Sequence, residues 1–208
     1  MTFDKLIIER SLLFSVDKNR VYRRLGYKKT TTQVNESMIR RVETLLSDAA
    51  EMVDPCGTYI IRKIKKRENR RISFQKSRVT LEGQSIQNLL KEAFGAVFMA
   101  VTIGAALEER IAEETKGGNI DQAVVLDAFG SEAVEAAADS LNTFLVSQAR
   151  QMRYFLSTRF SPGYGDLALS HQKSLHKELA LQDLGISITE KNLLLPEKTI
   201  TAVIGVER

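Results

Sequence analysis

The sequence contains only one cysteine, three prolines and two histidines among 208 residues, and it has no tryptophan. The single cysteine, Cys56, excludes an internal disulfide and any cysteine-rich zinc or iron–sulfur site. The longest uncharged run, residues 93–107, is shorter than the roughly 20 apolar residues of a spanning helix. The apolar opening residues include acids and lack a small-residue cleavage site. We therefore expect no signal peptide, no membrane partner and a cytoplasmic location.

Common catalytic signatures are also missing. The sequence has no G-x-x-x-x-G-K-[ST] phosphate loop, no H-E-x-x-H zinc motif and no G-x-S-x-G nucleophile elbow. The stretch VTIGAALEE offers one glycine where a Rossmann turn needs two or three. His171 and His176 are five residues apart, about 140° around a helix, which is poor geometry for a shared metal. We expect no acid–base or metal catalysis by the chain's own residues.

Hydrophobic residues make up 43% of the chain, enough to bury a core, and no Pro/Gly/Ser-rich linker divides it. We therefore predict a single domain over residues 1–208. Helical spacing predicts helices at residues 36–53 (with Asn35 as N-cap), 84–93, 104–118, 121–150 and 172–184. Strand patterns occur at residues 58–64, 71–81, 186–189, 192–195 and 199–206, while residues 94–103 suit a buried strand or helix. The mixture predicts an α+β fold with a mainly antiparallel sheet flanked by helices.

Residues 62–71, RKIKKRENRR, carry seven Lys or Arg among ten positions. Such a run can neutralise nucleic-acid phosphates. It lacks the aromatic residues that stack on single strands, and no helix-turn-helix or zinc-finger pattern accompanies it. Lys and Arg on an exposed hairpin also protect a sheet edge from pairing with other chains. A solvated or partner-facing hairpin at about residues 58–82, as a possible appendage of the domain, is the favoured interpretation, and nucleic-acid binding is the less favoured one.

Two segments combine turn or helix signals with charge. In RFSPGYGDLALSHQ, residues 159–172, the Pro162-Gly163 pair predicts a type II turn between Arg159 and Tyr164. In LDAFGSEAVEAAADSLN, residues 126–142, four acids alternate with small residues that permit close packing. A surface turn and an ordinary amphipathic helix are the simplest interpretations of these segments. A pocket built from both is the alternative.

Taken in order, VYRRLGY, VTIGAALEERI, VLDAFGSEAVEAAAD, RFSPGYGDLALSHQ and GISITEKNLLLPEKTITAVIGV resemble the successive motifs of a known family. They are similar to the S-adenosylmethionine-binding activation (reactivation) domain of cobalamin-dependent methionine synthase, in its free-standing bacterial form. The resemblance runs from about residue 20 to 206. It implies that domain's fold, with an elongated sheet rather than a Rossmann core.

The resemblance also implies a function and a set of site residues. The chain would bind S-adenosylmethionine and support reductive methylation of cob(II)alamin carried by a methionine synthase or another corrinoid protein, with a flavodoxin-like electron donor. Glu135 and Arg159 match the family's acid and arginine, suited to the ammonium and carboxylate of the ligand's methionine moiety. The turn formed by Ser161, Pro162, Gly163 and Tyr164 would receive the adenosine. A non-catalytic interaction or ligand-sensing module with the same fold is the rival expectation.

Overall fold

A computed structural model of the protein describes residues 2–27 and 35–208. Within these ranges it contains six α-helices and nine β-strands. The helices are α1 (Lys18–Arg24), α2 (Glu36–Met52), α3 (Gln84–Leu89), α4 (Ala106–Lys116), α5 (Ile120–Gln151) and α6 (Gln172–Glu178). The strands are β1 (Ile7–Glu9), β2 (Cys56–Glu68), β3 (Arg71–Phe74), β4 (Thr80–Glu82), β5 (Gly95–Thr102), β6 (Phe155–Leu156), β7 (Ser187–Ile188), β8 (Leu194–Leu195) and β9 (Thr199–Glu207).

Seven of these strands form one antiparallel sheet in the order β4-β3-β2-β5-β9-β6, with β1 paired to the first part of β2. Strands β7 and β8 make a separate two-stranded ribbon. The central strand β5, left open between strand and helix by its sequence, is a strand with all eight residues buried. The predicted α+β fold with an antiparallel sheet is confirmed, and the parallel sheet of a Rossmann fold is absent from the described residues.

The sheet separates two hydrophobic cores. Since successive side chains of a strand point to opposite faces, Val97 and Met99 of β5 face the core under α5, while Phe98 faces the other core. Helices α1, α2, α4 and α5 cover the first face, and α3, α6 and the segments beside them cover the second. Among the described residues, no helix combines the length and apolar character that a bilayer span requires.

Most predicted helices form close to their expected bounds. Helix α2 begins where Asn35 accepts a hydrogen bond from the Met38 N–H at 2.8 Å. Helix α3 ends at Leu89, earlier than expected. The helix predicted for residues 172–184 is wrong in its second half, because α6 ends at Glu178 and Ala180 adopts a left-handed φ of 49°. A continuous helix would place Leu181 about 200° from Leu179, whereas the break lets both reach the same core.

The predicted hairpin is present as β2 and β3, but the strand predicted over residues 71–81 is interrupted: β3 ends at Phe74, Lys76 has a left-handed φ of 52°, and β4 begins at Thr80. Asn69 and Arg70 connect the strands with φ values of 48° and 63°, the left-handed conformations of a tight two-residue hairpin turn. The first half of β2 lies in the middle of the sheet between β1 and β5, and its second half continues outward to β3. Five of the seven basic residues therefore lie on the long strand β2, while Arg70 lies in the turn and Arg71 begins β3.

Candidate functional site

The polar face of α5 forms one wall of the site. Ala133, Ala137 and Ala138 are fully buried, so the helix packs closely on the sheet through small side chains. Glu135 and Asp139 are four residues apart and therefore neighbours on the helix surface, turned away from that packing. Their side chains are 46% and 54% exposed. The close packing predicted for the small residues is confirmed, and it leaves these carboxylates at the rim of a cleft.

Arg159 reaches this face because the chain after α5 runs back along β9. Phe160 pairs with Val203 through two backbone hydrogen bonds of 3.0 and 2.8 Å, and its ring packs on the second core. The alternation of an extended chain then turns Arg159 to the opposite face, towards α5. Its Nη2 donates to Glu135 at 3.2 Å and to Asp139 at 2.7 Å. The side chain is only 20% exposed, so one guanidinium joins two carboxylates at the floor of the cleft.

The predicted type II turn follows directly. The Tyr164 N–H donates to the Ser161 carbonyl at 3.2 Å, and Gly163 has a φ of +96°. That φ favours glycine, which explains the Pro162-Gly163 pair. Pro162 is buried beneath the turn, while the Tyr164 side chain is 67% exposed. An exposed phenol ring therefore stands beside the Arg159 pair.

Asp166 fixes this turn to the second face of the sheet. Its carboxylate accepts hydrogen bonds from the Gln84 and Ser85 N–H groups, at 2.5 and 2.9 Å, at the start of α3. These backbone donors, Ser85 first, lower the pKa of Asp166 to about 2. A Cβ at Gly83 would lie 2.9 Å from the same carboxylate, so the close approach requires glycine. Sequence reasoning gave Asp166 no role, because its partners lie about eighty positions earlier in the chain.

Helix α1 forms the opposite wall of the cleft. Val21 is fully buried, and the Tyr22 hydroxyl donates to Glu43 of α2 at 3.0 Å. Burial, and then this hydrogen bond, raise the pKa of Tyr22 to about 12. On the other side of α1, Arg24 donates from Nε and Nη2 to Glu132 of α5 at 2.9 and 2.7 Å. These contacts hold the arginines of α1 opposite the carboxylates of α5.

Two adjoining cavities share Glu135 and Arg159. The larger, about 720 Å³, lies between α1 and α5, and its further lining residues are Arg20, Arg23, Arg24, Glu132 and Asp139. The smaller, about 410 Å³, lies beside the turn, and its further lining residues are Asn142, Thr158, Phe160, Ser161, Tyr164 and Ile200. The Oδ1 atom of Asn142 is buried without a hydrogen-bond partner in the described chain. The junction thus offers a cation, several anions, an aromatic ring and an unsatisfied acceptor.

The structure brings together most of the residues selected from the sequence. Glu135, Arg159, Ser161 and Tyr164 line the smaller cavity, while Pro162 and Gly163 shape the turn behind it. Their roles in binding stay predictions. The arginines of α1, Asp139 and Asn142 were not selected. The i, i+4 spacing of Glu135 and Asp139 could have indicated Asp139, and the positions of Arg20, Arg23 and Arg24 on one helix face could have indicated a basic wall.

Much of the basic charge on the hairpin is engaged within the protein. Arg62 is 12% exposed and pairs with Glu178 at 2.6 Å and Asp4 at 3.1 Å. Arg67 donates to the backbone carbonyls of Leu90 and Ala93. Two further pairs on the hairpin are Lys66–Glu68 and Arg71–Glu82. These contacts favour a structural and solvated role for the run over phosphate binding.

No protein-family model matches the sequence, and no curated protein matches it significantly. Solved structures do match the fold. One is a crystal structure of the MetH reactivation domain bound to AdoHcy, with a TM-score of 0.71 and 12% sequence identity. The match covers 97% of this chain and 78% of that one. The protein therefore has the fold of that reactivation domain.

Proposed function

We propose that this protein binds S-adenosylmethionine where the two cavities meet and supports reactivation of cob(II)alamin on a corrinoid protein. The observation that carries the proposal is Arg159 placed between Glu135 and Asp139, beside the Ser161–Tyr164 turn. The fold supports it, because a domain of this fold has been solved with AdoHcy, the demethylated form of S-adenosylmethionine. The proposed partner is the corrinoid-binding domain of a methionine synthase or of a related methyltransferase.

The charges at the junction fit the amino-acid end of the ligand. That end carries one carboxylate and one ammonium group, and Arg159 and Glu135 present the complementary charges 3.2 Å apart. A planar guanidinium suits a carboxylate, and a carboxylate suits an ammonium. Binding would replace one half-exposed internal pair by two pairs with the ligand, while Asp139 continues to hold Arg159. The ring of Tyr164 would cover the ligand on its solvent side.

The proposed methyl transfer requires the protein to position the ligand and does not require it to transfer a proton. When bound, S-adenosylmethionine supplies an electrophilic methyl group to a cobalt that has gained one electron. The displacement removes no proton, so the chain's residues serve to orient the ligand and exclude water. We assign the electron to an external flavodoxin-like donor and place the reaction in the cytoplasm, consistent with a chain that has a single cysteine.

Calorimetric titration with S-adenosylmethionine and with AdoHcy tests the binding. Arg159→Ala is expected to weaken the binding of both ligands roughly ten- to a hundredfold, since a charge-assisted hydrogen bond is lost. Arg78→Ala is the matched control, because Arg78 is exposed in the β3–β4 loop, away from both cavities. If the folded protein binds neither ligand, or if the two variants behave alike, the proposal is wrong.

The reactivation role needs its own assay. A cob(II)alamin-loaded corrinoid protein, a reduced flavodoxin and S-adenosylmethionine are mixed with and without this chain, and the methylcobalamin spectrum is followed. The chain should accelerate its appearance, and omission of the electron donor or use of Arg159→Ala should abolish the acceleration. Tight ligand binding with no acceleration for any corrinoid partner would favour the ligand-sensing or interaction module instead.

A further inference from the structure

The larger cavity, between α1 and α5, has an excess of positive charge. All seven of its lining residues are charged, and four are arginines while three are carboxylates. A cavity of about 470 Å³ on the hairpin is different. Its two cations, Lys66 and Arg71, each have a carboxylate partner, at 2.6 and 2.9 Å. The cavity beside α1 therefore has positive charge beyond what its own carboxylates balance.

The three carboxylates of the larger cavity are already engaged. Glu132 is only 9% exposed, and its Oε1 accepts hydrogen bonds from Nε and Nη2 of Arg24. Glu135 and Asp139 both accept from Arg159. These bonds join five of the seven charged groups to one another. The excess charge is thus on the remaining two arginines, both on α1.

Arg20 and Arg23 are these two arginines. The Nε atom of Arg20 lies 3.9 Å from Glu132 Oε2, too far for a hydrogen bond. The Nε atom of Arg23 donates to the Asn19 carbonyl of its own helix at 3.3 Å, and its terminal nitrogens have no partner within the described ranges. The residues outside those ranges include no aspartate or glutamate, so they supply no side-chain carboxylate. Both guanidinium groups therefore have uncommitted N–H donors.

The packing of α1 directs both arginines into the same space. They are three residues apart and therefore neighbours on the helix surface. Val21 is fully buried in the core, while Lys18 and Tyr22 lie on the opposite side of α1 and both contact Glu43 of α2. With these two sides of the helix anchored, the arginine face remains turned towards the cavity.

We propose that the α1 side of this cavity binds a small phosphate-type oxyanion, such as inorganic phosphate or pyrophosphate, through Arg20 and Arg23. A tetrahedral oxyanion has oxygens on several sides and can accept from two guanidinium groups at once, in charge-assisted and often bidentate pairs. The lining offers no apolar surface and no aromatic ring, which disfavours a nucleotide base or single-stranded nucleic acid. The site goes beyond the proposed function, because it uses neither Arg159 nor Glu135.

Calorimetric titration at low ionic strength with inorganic phosphate and pyrophosphate tests the site, with acetate as the control anion. Pyrophosphate should bind more tightly than phosphate because it carries more charge, acetate should show no saturable binding, and added sodium chloride should weaken the affinity. Arg20→Gln and Arg23→Gln should each weaken pyrophosphate binding roughly three- to tenfold. Arg78→Gln is the matched control without effect, since Arg78 is another exposed arginine with no carboxylate partner in the described chain.

Urea unfolding checks that both variants fold, as expected for exposed side chains, and Arg23→Lys should keep part of the affinity because it retains the charge. Absence of saturable binding for both phosphate probes, or equal affinities for Arg23→Gln and Arg78→Gln, would overturn the site. Binding of a hexaglutamate peptide without binding of pyrophosphate would also overturn it, and would indicate a docking surface for an acidic protein. A chain that binds pyrophosphate but not AdoHcy would keep this site and lose the proposed function.

Discussion

Replacement of Glu135 by glutamine is expected to weaken S-adenosylmethionine binding about two- to a hundredfold without unfolding the protein. A carboxylate that receives the ligand's ammonium group contributes about 1.5–3 kcal/mol as a charge-assisted hydrogen bond. Against this, the ligand must displace the Arg159–Glu135 contact at 3.2 Å. Because Glu135 is 46% exposed, that contact is worth only about 0.2–1 kcal/mol. The difference, about 0.5–2.8 kcal/mol, corresponds to the stated range of affinity.

Calorimetry at fixed pH and salt measures this loss, and urea unfolding checks the fold. Asp139→Asn is the informative comparison, since Asp139 binds the same guanidinium at 2.7 Å but is expected to stay with it. Its effect on affinity should be clearly smaller. Glu36→Gln, on the exposed start of α2, is the control for charge alone. Equal losses in Glu135→Gln and Asp139→Asn would refute the assignment of the ammonium to Glu135, and unfolding of Glu135→Gln would make Glu135 a structural group.

Three further perturbations test how the site is held. Arg62→Ala leaves the Glu178 carboxylate, which is only 10% exposed, without its arginine partner and should lower the free energy of unfolding in urea by up to about 3–5 kcal/mol. Asp166 has its pKa lowered from 3.8 to about 2, so its contribution to stability is present above pH 4 and lost as the pH falls towards 2. Asp166→Asn should therefore reduce the acid sensitivity of the melting temperature in that window. Gly163 has a φ of +96°, so Gly163→Ala should lower the free energy of unfolding in urea by about 1–2 kcal/mol and weaken the binding of S-adenosylmethionine. Unchanged stability would contradict the turn geometry.

The sequence predicted local structure well where local chemistry determines it. The N-cap of α2 at Asn35, the tight turn at Asn69 and the turn at Gly163 each depend on residues within a few positions of one another. The helix predicted for residues 172–184 was too long because its break is imposed by burial of Leu181 against strands elsewhere in the chain. A helical period cannot reveal that constraint. The very short strands β1 and β6 were missed because they exist only through pairing with β2 and β9.

The candidate site also contains residues that a short stretch of sequence could indicate and residues that only the folded structure brings together. Arg159 and the turn that follows it could be selected because they lie in one short stretch with an unusual composition. Asn142 could not, since a single amide gives no signal until the fold shows its oxygen buried beside the cleft without a hydrogen-bond partner among the described residues. Its position depends on packing between α5 and the sheet, which spacing along the chain does not encode.

The contacts that build the site are not the ones that would bind the ligand. The turn is positioned by backbone pairing of Phe160 with Val203 and by the Asp166 carboxylate at the start of α3, and neither requires Arg159 or Glu135. The ion pairs of Arg159 involve half-exposed carboxylates and contribute little to folding, about 0–1 kcal/mol each. A partly buried arginine between two carboxylates is therefore weakly explained by stability. It is well explained by a zwitterionic ligand, because the arrangement keeps both complementary charges in place before the ligand arrives.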